Sequence, residues 1–181
     1  MKLKSYISEL AETFITSLIV VFLIYMFIGS IEVVWGASME PNFYTGERIL
    51  VDKISPHLFP IKRGDVVVLI PPNEPDKHYI KRVIGMPGDI VKILDCRVYI
   101  SKDGEKFELQ ESYLPSSICT QGGSGLQEGR SLRVEKGQYL VFGDNRPFSL
   151  DSRTFGVISA KEVVGRVVFI FWPLNRIGFV S

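Results

Sequence analysis

The chain has 181 residues, of which 46% are hydrophobic and 23% charged, with a net charge of +1. That length suits one domain of ordinary size plus an attachment, and the apolar content suits a chain that folds. The near-neutral balance excludes the basic excess of a nucleic-acid binder and any acidic tail.

Residues 13–31 carry no charge and are bracketed by Glu12 and Glu32. As a helix this run is about 28 Å long, close to the hydrocarbon thickness of a bilayer. Every residue from 18 to 28 is apolar, so the run has no polar face to give water. A tail and single transmembrane helix are therefore expected over residues 1–32. A cleaved leader fits less well: the apolar stretch exceeds the usual core of roughly 7–15 residues, and bulky Trp35 stands two places before Ala37. Lys2 and Lys4 precede the run, which predicts an N-terminus inside and the body of the chain on the extracytoplasmic face of the plasma membrane. Such a compartment permits a disulfide between Cys96 and Cys119, and two partly buried thiols fit equally well.

Beyond residue 32 the signals are of β type. Short β-branched runs at 48–51 and 65–70 follow turns at Gly46 and Gly64. Tyr79-Ile80-Lys81-Arg82-Val83-Ile84 is closed by Met86-Pro87-Gly88-Asp89, a turn sequence, and 90–94 resumes the strand pattern. Residues 139–142 and 163–172 supply two more strands. No segment shows a sustained helical period, so the body is expected to be a mainly β, barrel-like antiparallel domain over 33–94 and 135–181. Between them, 95–134 reads as a small insertion: a hairpin around Lys102-Asp103-Gly104-Glu105, then the glycine-rich 121–125 loop. Aromatic residues gather near 35–44 and again at Phe169, Phe171, Trp172 and Phe179. The first group suits a membrane interface, and the second suits an interface or the core of a last strand.

A serine, Ser38, stands just past the apolar run. A serine hydroxyl is a poor nucleophile near neutral pH and needs a base. The two histidines, His57 and His78, lie in a proline-bounded loop and on the face of the chain opposite Lys81. Lys81 serves as a base only when neutral, which requires its pKa to fall from about 10.4 to around 7–8 through burial. On an extended strand Tyr79, Lys81 and Val83 share one face, with Ile80, Arg82 and Ile84 on the other. Arg82 is expected to be solvated.

Five stretches extend this reading. They are Ser38-Met39-Glu40-Pro41; Gly46-Glu47-Arg48-Ile49-Leu50-Val51; Arg63-Gly64-Asp65-Val66-Val67; Tyr79 through Asp89; and Gly143-Asp144-Asn145-Arg146-Pro147-Phe148-Ser149-Leu150-Asp151-Ser152-Arg153. In this order, after an anchor, they resemble the motif boxes of bacterial type I signal peptidases, the Ser/Lys dyad serine proteases. The resemblance implies Ser38 as nucleophile and Lys81 as general base. It implies that Met39 and Pro41 shape the nucleophile's turn and that Ser149 orients the lysine amine. Asp144 and Arg146 would support the site from a turn, and Asp151 and Arg153 would form a supporting pair. These last two share parity with Ser149, so an extended chain would line all three on one face. Some family members carry a serine at the place of Gly36, whose hydroxyl binds the oxyanion. Here the Ser38 N–H is the expected donor, with Gly36 allowing close approach of a backbone or water donor.

The activity implied is removal of signal peptides from secreted preproteins, cut after small residues. The peptide would add as a strand beside Tyr79 and Ile80. No metal or cofactor is implied, and the partners are preproteins and the lipid bilayer, with no nucleic acid. Two other readings remain open: a specialised Ser/Lys peptidase maturing one secretion or pilus component, and a non-catalytic membrane-anchored peptide-binding domain.

Overall fold

The structure, a computed structural model, describes residues 2–27 and 29–180, with the side chains of 2–6, 8, 23–27 and 57 outside that description. Helix α1 (Lys2–Phe27) is followed by β1 (Gly29–Val33), β2 (Arg48–Asp52), β3 (Val66–Leu69) and β4 (Tyr79–Gly85). Next come β5 (Ile90–Leu94), β6 (Arg97–Lys102), β7 (Glu105–Glu108), β8 (Ser131–Arg133) and β9 (Gln138–Phe142). The chain ends with β10 (Ile158–Ser159), β11 (Val163–Trp172) and β12 (Gly178–Phe179). The body's helices are short: α2 (Ser55–Leu58), α3 (Ser152–Phe155) and three 3-10 turns. The mainly β expectation agrees with this architecture.

The expected span is corrected at its C-terminal end. The helix stops at Phe27, and Gly29–Val33 pairs antiparallel with β2 instead. The reason lies in Gly-Ser-Ile-Glu-Val, where a glycine opens a period-2 alternation: Ser30 and Val34 are buried while Ile31 and Val33 are exposed. Among the described residues no helix is long and apolar enough to cross a membrane.

The main sheet has eight strands in the order β1-β2-β11-β3-β4-β9-β10, with β12 on β11. Its pairings are antiparallel. In a flat sheet β1 and β4, four places apart, would be about 19 Å from one another. Yet Glu32 on β1 and His78, directly before β4, approach to 3.6 Å. The sheet therefore curls into an open trough. β3 shows how one strand serves two sides: Val66 and Val68 enter the core beneath β1 and β2, while Val67 and Leu69 pack with Val83, Val141 and Ile158. Burial on both faces explains its unbroken Val-Val-Val-Leu run.

A second sheet, in the order β7-β6-β5-β8, holds the expected hairpin. It begins at Ile90, five residues inside the segment assigned above to the main β domain. It shares a core with the main sheet, since Val91, Ile93, Val98 and Ile100 pack with Ile84, Leu140 and Phe142. Gly85 makes that approach possible, because a Cβ there would stand 2.8 Å from the Leu140 Cβ. Cys96, in the turn between β5 and β6, forms a disulfide with Cys119 in the segment after β7.

Candidate active site

Ser38 sits in a tight turn whose backbone bonds run from Glu40 N–H to the Ala37 carbonyl and from Asn42 and Phe43 N–H to the Met39 carbonyl. Met39 and Phe43 are buried in the core beneath β1 and β2, so apolar burial pins the turn from below. Pro41 is on the exposed side, following a cis peptide bond. Gly36 has φ +84°, a conformation that a side chain would strain, and open space where a Cβ would stand.

Lys81 approaches from β4, and its Nζ donates to Ser38 Oγ at 2.9 Å and to the Ile80 carbonyl at 2.9 Å. The residue is 3% exposed, and the Tyr79 ring lies 5.0 Å from Nζ. Burial pushes the Lys81 ammonium down to about 8, against the opposing pull of the Asp151 and Asp144 carboxylates. Tyr79 is itself fixed by a hydrogen bond from its hydroxyl to Glu74, and that bond is the main reason its pKa is raised to about 12.

The Gly143–Arg153 stretch wraps the far side of the turn. Asn145 was not among the expected site residues, yet its N–H donates to the Ser38 carbonyl at 3.0 Å and its side-chain amide to the Ala37 carbonyl at 2.9 Å. Asp144 receives Arg82 Nε at 2.9 Å, Arg82 Nη2 at 2.7 Å and Asn42 Nδ2 at 2.8 Å. Arg82 is thus buried and paired, which corrects the expectation of a solvated arginine. Strand parity could not reveal this, because the partner carboxylate lies far away in sequence. Arg146 bonds the Gly143 carbonyl at 3.0 Å and holds Glu111 and Thr120, both from the segment near Cys119.

Asp151 and Arg153 do meet, in a buried pair at 2.8 Å. The cause differs from the shared parity expected above: Asp151 caps α3, accepting from the Arg153 N–H, and its second oxygen receives the Gly143 N–H at 2.9 Å. Ser149 lies beside Gly143 near the Ser38 carbonyl, but its Oγ has no hydrogen-bond partner among the described residues, the lysine amine included. Its carbonyl, not its hydroxyl, meets Arg153 at 3.5 Å. Of the two histidines, His78 faces Glu32 at 3.6 Å, and the His57 side chain is outside the described residues.

The Ser38–Lys81 pair opens into a groove of about 580 Å³. Val34, Ile49, Val68 and Ile80 form its floor, and Phe148 and Leu150 stand exposed at one side. Its two walls are unpaired strand edges. β1 ends the sheet, and residues 79–81 of β4 pair with β3 alone, since pairing to β9 begins at Arg82. Tyr79 and Ile80, both expected beside a substrate, line it.

The family model described as "Signal peptidase, peptidase S26" matches residues 7–172. Signal peptidase I P of Bacillus subtilis subsp. natto is 35% identical over 178 residues, 96% of this chain and 94% of that protein. Signal peptidase I of Bacillus licheniformis is 36% identical over 178 residues, 96% of this chain and 93% of its own. A crystal structure of a signal peptidase I from Enterococcus faecalis V583 is 29% identical, covering 60% of this chain and 97% of that one at a TM-score of 0.48. With the family model running from residue 7 to 172 and relatives this similar along nearly their whole length, the chain belongs to the peptidase S26 family of signal peptidases and is an enzyme that hydrolyses peptide bonds.

Proposed function

We propose that this chain is a membrane-anchored serine endopeptidase that removes signal peptides from exported preproteins, with Ser38 as nucleophile and neutral Lys81 as general base. The observation that carries the reading is the 2.9 Å approach of Lys81 Nζ to Ser38 Oγ, at the wall of a peptide-sized groove. The distance lies within the reach a general base needs. Burial supplies the lowered pKa, and Asn145 and Met39 hold the serine turn in place.

In the first half-reaction the Lys81 lone pair takes the Ser38 proton as Oγ attacks the scissile carbonyl carbon. The carbonyl electron pair moves to oxygen, where the Ser38 N–H receives it. Collapse breaks the C–N bond, and the Lys81 ammonium returns its proton to the leaving amine. Water then loses a proton to Lys81 and attacks the Ser38 ester, and the serine leaves with that proton. Strand addition between β1 and β4 would bind the peptide by its main chain, which suits an enzyme that accepts many sequences.

Anchoring rests on α1. Its residues 9–22 are exposed, including Leu10, Phe14, Leu18, Val21 and Phe22. The hydroxyls of Thr13, Thr16 and Ser17 donate to carbonyls four residues earlier, at 2.7–2.9 Å, so their polar groups are satisfied within the helix. A bilayer accommodates such a surface, with the catalytic domain on the extracytoplasmic side. The test is cleavage of several unrelated preproteins by the purified full chain in detergent. Wild type should cut them all, and Ser38→Ala and Lys81→Ala none. Cleavage by Ser38→Ala would overturn the mechanism, and carbonate-extractable protein in membrane fractions would overturn the anchor.

A further inference from the structure

At the end of the groove away from Ser38 and Lys81, both walls change from apolar to polar at the same level. On one wall Val34 gives way to Glu32, two residues along β1's groove-facing alternation. On the other, Ile80 gives way to His78. The two polar side chains approach each other at this end, with His78 Nδ1 3.6 Å from Glu32 Oε1. The same Oε1 accepts weakly from Ser30 Oγ at 3.4 Å. Glu32 Oε2 makes no hydrogen bond among the described residues, although Glu32 lines the groove. Lys77, also at this rim, is paired with Glu74 at 3.0 Å. The rim therefore presents an open carboxylate oxygen to whatever lies between the strands.

We infer that Glu32 is a specificity-determining residue, selecting a cationic side chain in the preprotein two residues upstream of the one seated over Val34 and Ile80. The inference rests on the function proposed above, in which upstream residues lie extended along this groove. In an extended peptide, alternate side chains point the same way. The side chain following the floor-seated one on that face thus arrives over the Glu32–His78 pair. A lysine or arginine there gains a charge-assisted contact with Oε2, whereas an acidic residue meets a like charge. The pair is partly exposed, so the gain is modest and suits a preference, not a requirement.

The test uses the full chain in detergent and two peptide series with constant small residues at the cleavage site. In one, a lysine is walked upstream a position at a time; in the other, a glutamate. Wild type should prefer lysine over glutamate in kcat/KM by about fivefold at one position. Glu32→Gln should bring that ratio to about one, Glu32→Lys should invert it, and His78→Ala should keep lysine preferred. Each ratio is measured within one variant, so general loss of activity does not imitate the effect. An unchanged ratio in Glu32→Gln, or equal cleavage of both series by wild type, overturns this inference alone. Failure of wild type to cut any peptide would remove the proposed function with it.

Discussion

Asp144 grips Arg82 with both carboxylate oxygens, at 2.9 and 2.7 Å, across 62 residues of sequence. The pair is buried at both ends and ties the lysine-bearing strand to the turn that holds the Ser38 carbonyl. Removing one partner leaves the other charge buried and uncompensated, which costs about 3–5 kcal/mol. Asp144→Ala is therefore expected to lower the urea midpoint sharply and to lose activity with it. Replacing both residues by apolar ones of similar volume should recover much of the stability. Denaturation monitored by tryptophan fluorescence checks both.

Lys81 gives a signature in pH. In the native state it titrates near 8, and in the unfolded chain near its ordinary 10.5. Between these values the unfolded chain binds more protons, so stability rises with pH across that window and is lost as pH falls through 8. The full difference is about 3 kcal/mol. Lys81→Met should remove that slope, read as the difference between the two proteins' urea midpoints from pH 7 to 10. Peptide kcat/KM should rise with an inflection near 8 as the amine becomes neutral; a profile flat from pH 6 to 9 would contradict a lysine base.

Gly143 has no room for a side chain. A Cβ there would fall well inside contact distance of Ser149 Oγ and the Ser38 carbonyl oxygen. Gly143→Ala is expected to cost about 1–3 kcal/mol and to displace the Ser38 turn, lowering kcat more than stability alone explains. Gly178→Ala, where a Cβ meets open space, is the matched control and should retain wild-type kinetics.

The Cys96–Cys119 disulfide spans a sequence separation of 23 residues. Loop closure of that size is worth about 3 kcal/mol in the chain-entropy picture. The segment it restrains includes Glu111, with Thr120 just beyond, and both hold Arg146 beneath the Gly143 carbonyl. The double variant Cys96→Ser/Cys119→Ser should lose stability by roughly that amount. Its activity should fall further with temperature than that of wild type, measured by peptide hydrolysis between 20 and 45 °C.

The sequence carries the strands well where β-branched runs meet glycine turns, as at β2, β3 and β11. It also marks Ser38 and Lys81, which the structure brings to 2.9 Å, because the flanking motifs single them out. β1 was hidden because its five-residue alternation continues an apolar run and looks like more helix. The burial of Arg82 was hidden for a different reason: a charged residue reads as solvated until a distant carboxylate is known to reach it. Asn145 holds the Ser38 turn half through its main chain, which leaves no mark on residue type, and half through a side-chain amide that reads as ordinary turn chemistry. The Asp151–Arg153 pair is close because a helix starts between them, where strand parity has no force.

The two unpaired edges bear on fidelity. A preprotein displaced by one residue in such a groove turns every side chain over, whereas a displacement of two restores the alternation. Misprocessing should then come in even steps, with secondary N-termini of the mature product two residues from the principal one. Intact-mass measurement of processed preproteins reads this directly. Binding by strand addition, as proposed above, would keep the reading frame by parity.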